Sequence, residues 1–410
     1  MTSSHSVSQS PWPTILCWAT VMLEGFDLVA LGAVIPTLLQ TGHLGFDKPS
    51  ATFVATISLV GVAIGAALVG PLADRIGRRM ILIGSIAVFS IFTLLIPLSP
   101  SVAVFGVLRL LAGLGLGACM PTALTFMAEH LPEEKRSHSS TLTMTGYHVG
   151  AVAASLMALA VVPHWHILFY AGGVAGLVVV PIMWFKLPES SEFLASKERT
   201  TKKVAFFQRS YLRTIAVVWI ASFLGLLLVY GLNTWLPQLM REAGYDVSSS
   251  LTMLFVLNVG AVVGLLVAGR LADLRGVKPT ILVWFAASAV LLALLSIQMT
   301  NKWLLNAVIL TTGVFVFSAM VLTYAYIAHS FPAEVRNTAI GLASAIGRLG
   351  AIVGPLVTGA LVSAGVAYPG GFYFFAAVAA LGLLAMFFAP HERVMKDQTA
   401  TESGEKHVTA

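Results

Sequence analysis

Gly70-Pro-Leu-Ala-Asp74-Arg75-Ile-Gly77-Arg78-Arg79 lies between two long apolar runs. It returns 199 residues later as Gly269-Arg270-Leu-Ala-Asp273-Leu-Arg275-Gly276-Val-Lys278. A second pair keeps almost the same spacing, Ala128-Glu-His130-Leu-Pro132-Glu-Glu134-Lys-Arg136 against Ala328-His329-Ser-Phe-Pro332-Ala-Glu334-Val-Arg336. Two polar loops recurring at half the length of a 410-residue chain, each between apolar segments, indicate a duplicated bundle of membrane helices. Duplication of that kind in a membrane protein points to a transporter.

Composition agrees. Hydrophobic residues are 57% of the chain and charged residues 10%, with a mean hydropathy of +0.88. A soluble domain carries about 25% charged residues, so this chain lacks the polar surface to face water all round. Apolar runs near the spanning length of about 20 residues occur at 14–40, 51–73, 79–97, 102–128, 139–161, 164–186, 211–237, 248–272, 278–299, 303–330, 336–363 and 369–389. The expected fold is all-α, with 12 transmembrane helices in two pseudo-symmetric six-helix halves. Residues 1–13 form the N-terminus, 14–186 the first half, 187–210 a linker, 211–389 the second half and 390–410 a polar, disordered tail.

Lys and Arg set the orientation. Nineteen of the 24 fall in one set of connections, only Lys48, Arg241 and Lys302 fall in the other, and Arg109 and Arg348 lie inside spans. By the positive-inside rule both termini are expected in the cytoplasm of a multi-pass inner-membrane protein. The net charge of +6 is then a topology signal, and no nucleic-acid partner is expected. Cys17 and Cys119 both sit in apolar segments, which implies no disulfide framework. The first run reads as a spanning helix rather than a cleaved signal peptide. No nucleophile–base spacing, metal cluster or phosphate loop appears, so neither an enzyme nor a metal or cofactor is expected; a monomer is.

Ionisable groups inside the bilayer are costly and therefore functional candidates. Glu24 and Asp27 are three residues apart, on one face of the first helix. At ~1.5 Å per residue, Glu24 lies roughly 15 Å and Asp27 roughly 20 Å from the cytoplasmic edge, and Arg109 of the fourth helix shares the depth of Asp27. An ion pair between Asp27 and Arg109 is expected. It is either a proton carrier, with Glu24 alongside, or a permanent brace between helices. Aligning the halves at an offset of 200 sets His148 opposite Arg348, both near mid-membrane. Arg348 can grip a carboxylate with two parallel hydrogen bonds, and His148 can donate a hydrogen bond or titrate near neutrality. Bonding to a neighbouring helix remains open for both. Aligned at 201, Glu24 falls on Gly225 and Asp27 on Leu228, so the acids have no counterpart in the second half.

In the repeated loop, Asp74 can pair with Arg78 or cap a neighbouring helix, while glycines permit tight turns and close approach. Gly70, Asp74, Arg75, Gly77 and Arg78, with Gly269, Asp273 and Gly276 in the second copy, are the candidate gate; solvated topogenic loops are the alternative. His130 and His329 occupy equivalent helix ends, suited to dipole stabilisation or gating.

Twelve spans with this loop after the second resemble the major facilitator superfamily over nearly the whole chain. Arg109-Leu-Leu-Ala-Gly113-Leu-Gly115-Leu-Gly117 is similar to that family's Arg-x-x-x-Gly-x-Gly-x-Gly motif, and Pro188-Glu189-Ser-Ser-Glu-Phe-Leu194 to another of its patterns. Within it, Glu24-Gly25-Phe26-Asp27-Leu28 resembles the Asp-Gly-Tyr/Phe-Asp signature of the aromatic acid:proton symporters, with Glu24 where the first Asp is usual. Arg336-Asn-Thr-Ala-Ile-Gly341 through Gly347-Arg348-Leu-Gly350-Ala-Ile-Val-Gly354-Pro355 is similar to their eleventh helix; Leu274 replaces a usual Arg of the second loop.

The resemblance implies proton-coupled import of a benzoate, hydroxybenzoate, gentisate or related anion by alternating access. A symporter of a non-aromatic organic acid is the alternative, and an exporter a remoter one. The fifth helix has no proline where drug antiporters carry Gly-Pro. An aromatic ring needs an apolar, aromatic slot. Phe26, Tyr147, Phe223, Tyr230, Trp235, Phe315, Phe317, Tyr324 and Tyr326 are candidates, with an interfacial belt position as the other reading of Trp235.

Overall fold

A computed structural model describes residues 10–130, 133–190, 211–331 and 333–390; at 70, 71, 74, 128–130, 133–142, 333, 334 and 337 it describes the backbone alone. The expected linker beyond 190, the tail beyond 390 and the side chains of Asp74, His130 and Glu134 lie outside the described residues. So do any contacts Gly70 makes.

Among the described residues the α-helices are α1 (Trp12–Thr41), α2 (Lys48–Ile76), α3 (Arg78–Leu95), α4 (Val102–His130), α5 (Glu133–Val161), α6 (His166–Lys186), α7 (Leu212–Glu242), α8 (Val247–Arg275), α9 (Val277–Leu294), α10 (Lys302–Ser330), α11 (Ala333–Ser363) and α12 (Ala367–Phe387). All twelve are long and apolar enough to cross a membrane. Large apolar side chains such as Leu68, Phe185, Leu266 and Val290 are exposed on the outside of the bundle, as lipid would require.

The helix ends show why apolar runs alone misjudge boundaries. α2 and α8 start on Asp47 and Asp246, whose carboxylates accept the backbone N–H of Ser50 and Ser249. The hydroxyls of Ser50 and Ser249, donating to the same carboxylates, and then the backbone bonds hold both carboxyls below the ordinary aspartate value. α2 and α8 end at Gly77 and Gly276, with φ of 100° and 89°, a conformation that glycine adopts without steric cost. α5 begins six residues before the expected 139, because a polar turn extends the helix beyond its apolar part.

Packing repeats between the first six and last six helices. α1 packs on α5, α2 on α4 and α3 on α6; α7 packs on α11, α8 on α10 and α9 on α12. The glycine motif of α4 explains one such fit. A Cβ on Gly113 or Gly117 would lie 2.4 Å from Ser58 O or 2.0 Å from Val62 O of α2, and one on Gly115 2.5 Å from Ser85 O of α3. Larger side chains would wedge α4 out of its slot.

The two sets of six meet through α1–α7, α2–α11 and α5–α8. At the end carrying the α1–α2 and α7–α8 connections the meeting is tight. Lys48 Nζ pairs with Glu242 Oε1 at 2.8 Å, and a Cβ on Gly32 would lie 2.2 Å from the Asn233 carbonyl oxygen. At the opposite end, Glu189 accepts the N–H of Arg79 and fastens α6 to the start of α3. Arg213 donates to the carbonyl of Phe388 past the end of α12.

Candidate functional site

Among the described residues, two cavities inside the bundle hold the ionisable groups of the spans. The larger, of about 100 Å³, is lined by Met120 of α4; Met144, Tyr147 and His148 of α5; Leu226, Val229 and Tyr230 of α7; Phe317, Met320, Val321 and Tyr324 of α10; and Ser344 and Arg348 of α11. α5, α7, α10 and α11 each contribute residues three or four apart, so one stripe of each faces inward. An engineered apolar cavity of about 150 Å³ admits benzene, so this one is in the size class of a single ring once flexible methionines yield.

Arg348 is the cation of this cavity. It is buried; Nη1 donates to the Tyr230 hydroxyl at 3.2 Å, and Nη2 lies 3.8 Å from Glu24 Oε1. A guanidinium has five N–H donors, so this arrangement leaves capacity for an incoming carboxylate. His148 stands edge-on to Phe317, ring centroids 6.1 Å apart. Its Nδ1 and the Tyr147 hydroxyl have no partner among the described residues.

The smaller cavity, about 20 Å³, is lined by Glu24, Asp27, Ser58, Arg109 and Tyr230 among others. Arg109 Nη1 donates to Asp27 Oδ1 and Nη2 to Ser58 Oγ, both at 2.8 Å. All three are buried. The guanidinium also lies over the Phe169 ring, 5.9 Å from its centroid. Tyr230 borders both cavities.

The sequence-derived candidates thus divide. Arg348, His148, Tyr147 and Tyr324 come together in the larger cavity, and Asp27, Glu24 and Arg109 in the smaller one. Phe26 joins neither: its ring packs toward Gly172 of α6. At 100° per residue Phe26 points about 200° away from Glu24, so both cannot face the same space. Trp235 is fully buried in the core rather than at an interface. Phe315 stacks edge-on with Trp284, Tyr326 donates to the Pro390 carbonyl, and Phe223 lies in an apolar groove outside the cavity. His329 bonds its own helix at Ala325.

In the loop motifs, Arg78 donates to the Ala73 carbonyl. Arg75 and Asp273 are exposed, and a Cβ on Gly269 would meet open space. Gly269 therefore permits no close approach here, whereas Gly77 and Gly276 make the turns.

Met120, Met144, Met320, Ser344 and Ser58 were not among the candidates. The i, i+3, i+4, i+7 stripe of Phe317, Met320, Val321 and Tyr324 was present in the sequence, but so were equivalent stripes on every other face of an all-apolar helix.

A family model described as the Major Facilitator Superfamily matches residues 17–317 and 249–410. The chain belongs to the major facilitator superfamily. It is therefore a multi-pass membrane transporter and not an enzyme. Superfamily relatives include a gallate transporter of Pseudomonas putida, 30% identical over 94% of this chain and 93% of that protein. A benzoate transport protein of Acinetobacter baylyi is 31% identical over 94% and 90%. A 3-(3-hydroxy-phenyl)propionate transporter of Escherichia coli is 33% identical over 89% and 90%. The fold is similar to the crystal structure of a D-xylose-proton symporter, with a TM-score of 0.79 and 16% identity, covering 92% of this chain and 98% of that one.

Proposed function

We propose that this superfamily member imports an aromatic carboxylate together with protons across a bacterial inner membrane, by alternating access. The observation that carries the reading is Arg348, a buried guanidinium with spare donors at the wall of a ring-sized cavity lined by Tyr147, Tyr230, Phe317 and Tyr324. Relatives named for gallate, benzoate and a hydroxyphenylpropionate support the aromatic part of it.

In this reading Arg348 holds the carboxylate and Tyr230 orients the guanidinium. His148 and Tyr147 face the ring and Tyr324 closes the slot. Asp27 and Arg109 form the protonation pair: taking a proton on Asp27 would release Arg109 and let α1 and α4 part. The end sealed by Lys48 and Glu242 is the outer one, both termini are cytoplasmic, and the chain works as a monomer. Gly77 and Gly276 set the turns of the loops that latch and release the opposite end.

The test is uptake into proteoliposomes under an inward proton gradient, with benzoate, gallate, hydroxybenzoates, 3-(3-hydroxyphenyl)propionate and one aliphatic acid. Accumulation of an aromatic acid that a protonophore collapses supports the reading. Accumulation of the aliphatic acid alone removes the aromatic assignment, and accumulation insensitive to the protonophore removes the coupling.

A further inference from the structure

We infer that Glu24 and the substrate carboxylate compete for Arg348, so the anion is accepted only when Glu24 has taken up a proton. This rests on the larger cavity being the anion site.

The two ion pairs reached from α1 are unequal. Asp27 is held at 2.8 Å by Arg109, whose second nitrogen is occupied by Ser58, away from the larger cavity. Glu24 sits 3.8 Å from Arg348, near enough for charge attraction and too far for a hydrogen bond. Both Glu24 oxygens are buried with no hydrogen-bond partner among the described residues. A carboxylate so poorly served is held in place chiefly by the charge of Arg348. That same guanidinium faces the larger cavity.

Charge counting does the rest. Ionised Glu24 and Arg348 together are neutral. A substrate carboxylate arriving at Arg348 would leave one uncompensated negative charge away from water, a strongly unfavourable state. A proton on one Glu24 oxygen restores neutrality and frees the guanidinium for two parallel bonds to the substrate. When the anion leaves, the proton leaves Glu24 and the Glu24–Arg348 pair re-forms. The cost of an unbalanced charge thus makes anion and proton travel together.

The other titratable groups facing Glu24 are Cys119 of α4, Tyr147 of α5 and Tyr230 of α7. On its own helix Asp27 is already paired, and α2 offers Ser58, Leu59 and Val62. α6 and α8 also touch α1 but contribute no titratable group to either cavity. His148 and Tyr324 stand in Arg348's cavity.

The experiment is calorimetric binding of benzoate, gallate and 3-(3-hydroxyphenyl)propionate to the purified, reconstituted protein between about pH 6 and about pH 8, where the ligand carboxylates stay ionised. The bound state holds one more proton than the free state. Affinity should therefore fall as pH rises, by about tenfold per pH unit above the Glu24 titration, with one proton taken up per anion. Glu24→Gln should bind with a flat pH profile and no proton uptake, and Glu24→Asp should restore the slope. A wild-type slope retained in Glu24→Gln would overturn the competition. So would anion binding to the wild type without proton uptake, whatever the variant's folding. Failure of the anion-site reading looks different: none of the three acids binds the wild type at any pH, which removes both.

Discussion

Arg348 and Asp27 are basic and acidic residues in the same membrane interior, yet their surroundings ask different things of them. Arg348 is bonded on one edge only, to Tyr230, so its substitution should be read in ligand affinity. Truncating a buried partner of a charge pair costs about 2–5 kcal/mol. Arg348→Ala should therefore weaken binding of the transported acid by roughly 30-fold or more. Equal affinity in the variant and the wild type would place the anion elsewhere. Asp27 is paired through Oδ1 with Arg109 and does not line the larger cavity. Asp27→Asn preserves shape and one acceptor, and should keep exchange of labelled for unlabelled substrate while abolishing accumulation against a gradient. Accumulation persisting in Asp27→Asn would exclude it from coupling. Both residues were legible in the sequence because a charge inside a span stands out against an apolar background. Ser58 was not, since Ser is unremarkable in any helix, and Tyr230 stood out as a candidate for the aromatic slot but not as the partner of Arg348.

Helices pack here by backbone contact, and the glycines that allow it can be told apart from those that do not. A Cβ on Gly25 would sit 1.9 Å from the Tyr147 carbonyl oxygen, whereas one on Gly84 meets nothing within 4 Å. Gly25→Ala must push α1 off α5, which carries Tyr147 and His148 into the cavity. Overpacking of this kind costs about 1–3 kcal/mol. Thermal unfolding in detergent should drop for Gly25→Ala and stay near wild type for Gly84→Ala; equal midpoints would refute the contact. From the sequence, the glycines of the fourth helix suggested a family and Gly77 a turn. Which carbonyl each glycine meets depends on the neighbouring helix, and no pattern within one helix specifies that. The same limit explains Phe26, adjacent in sequence to the critical acids but turned to α6 by the helical repeat.

The molecule as a whole is closed at the end where Lys48 meets Glu242 and where α1 lies against α7. Transport by rocking requires that seal to open. Lys48→Cys with Glu242→Cys, joined by a short bis-thiol crosslinker, should stop uptake, and a cleavable crosslinker should restore it on reduction. Native Cys17 and Cys119 are buried and present no competing thiol on the surface. Undiminished uptake by fully crosslinked protein would mean that this end stays shut throughout the cycle.

By itself the sequence determined that the chain crosses a membrane twelve times, that its two six-span segments share a plan, and which ionisable residues lie within the spans. These follow from the one-dimensional statistics of apolar length and repeated polar loops, which lipid enforces residue by residue. Only the tertiary structure decided that Arg348 is shared between Glu24 and a cavity while Arg109 is committed to Asp27 and Ser58. Only the tertiary structure, again, set Tyr230 at the border of the two. In a helix apolar on every face, nothing local marks the side that turns inward. That choice belongs to the packing of twelve helices against one another.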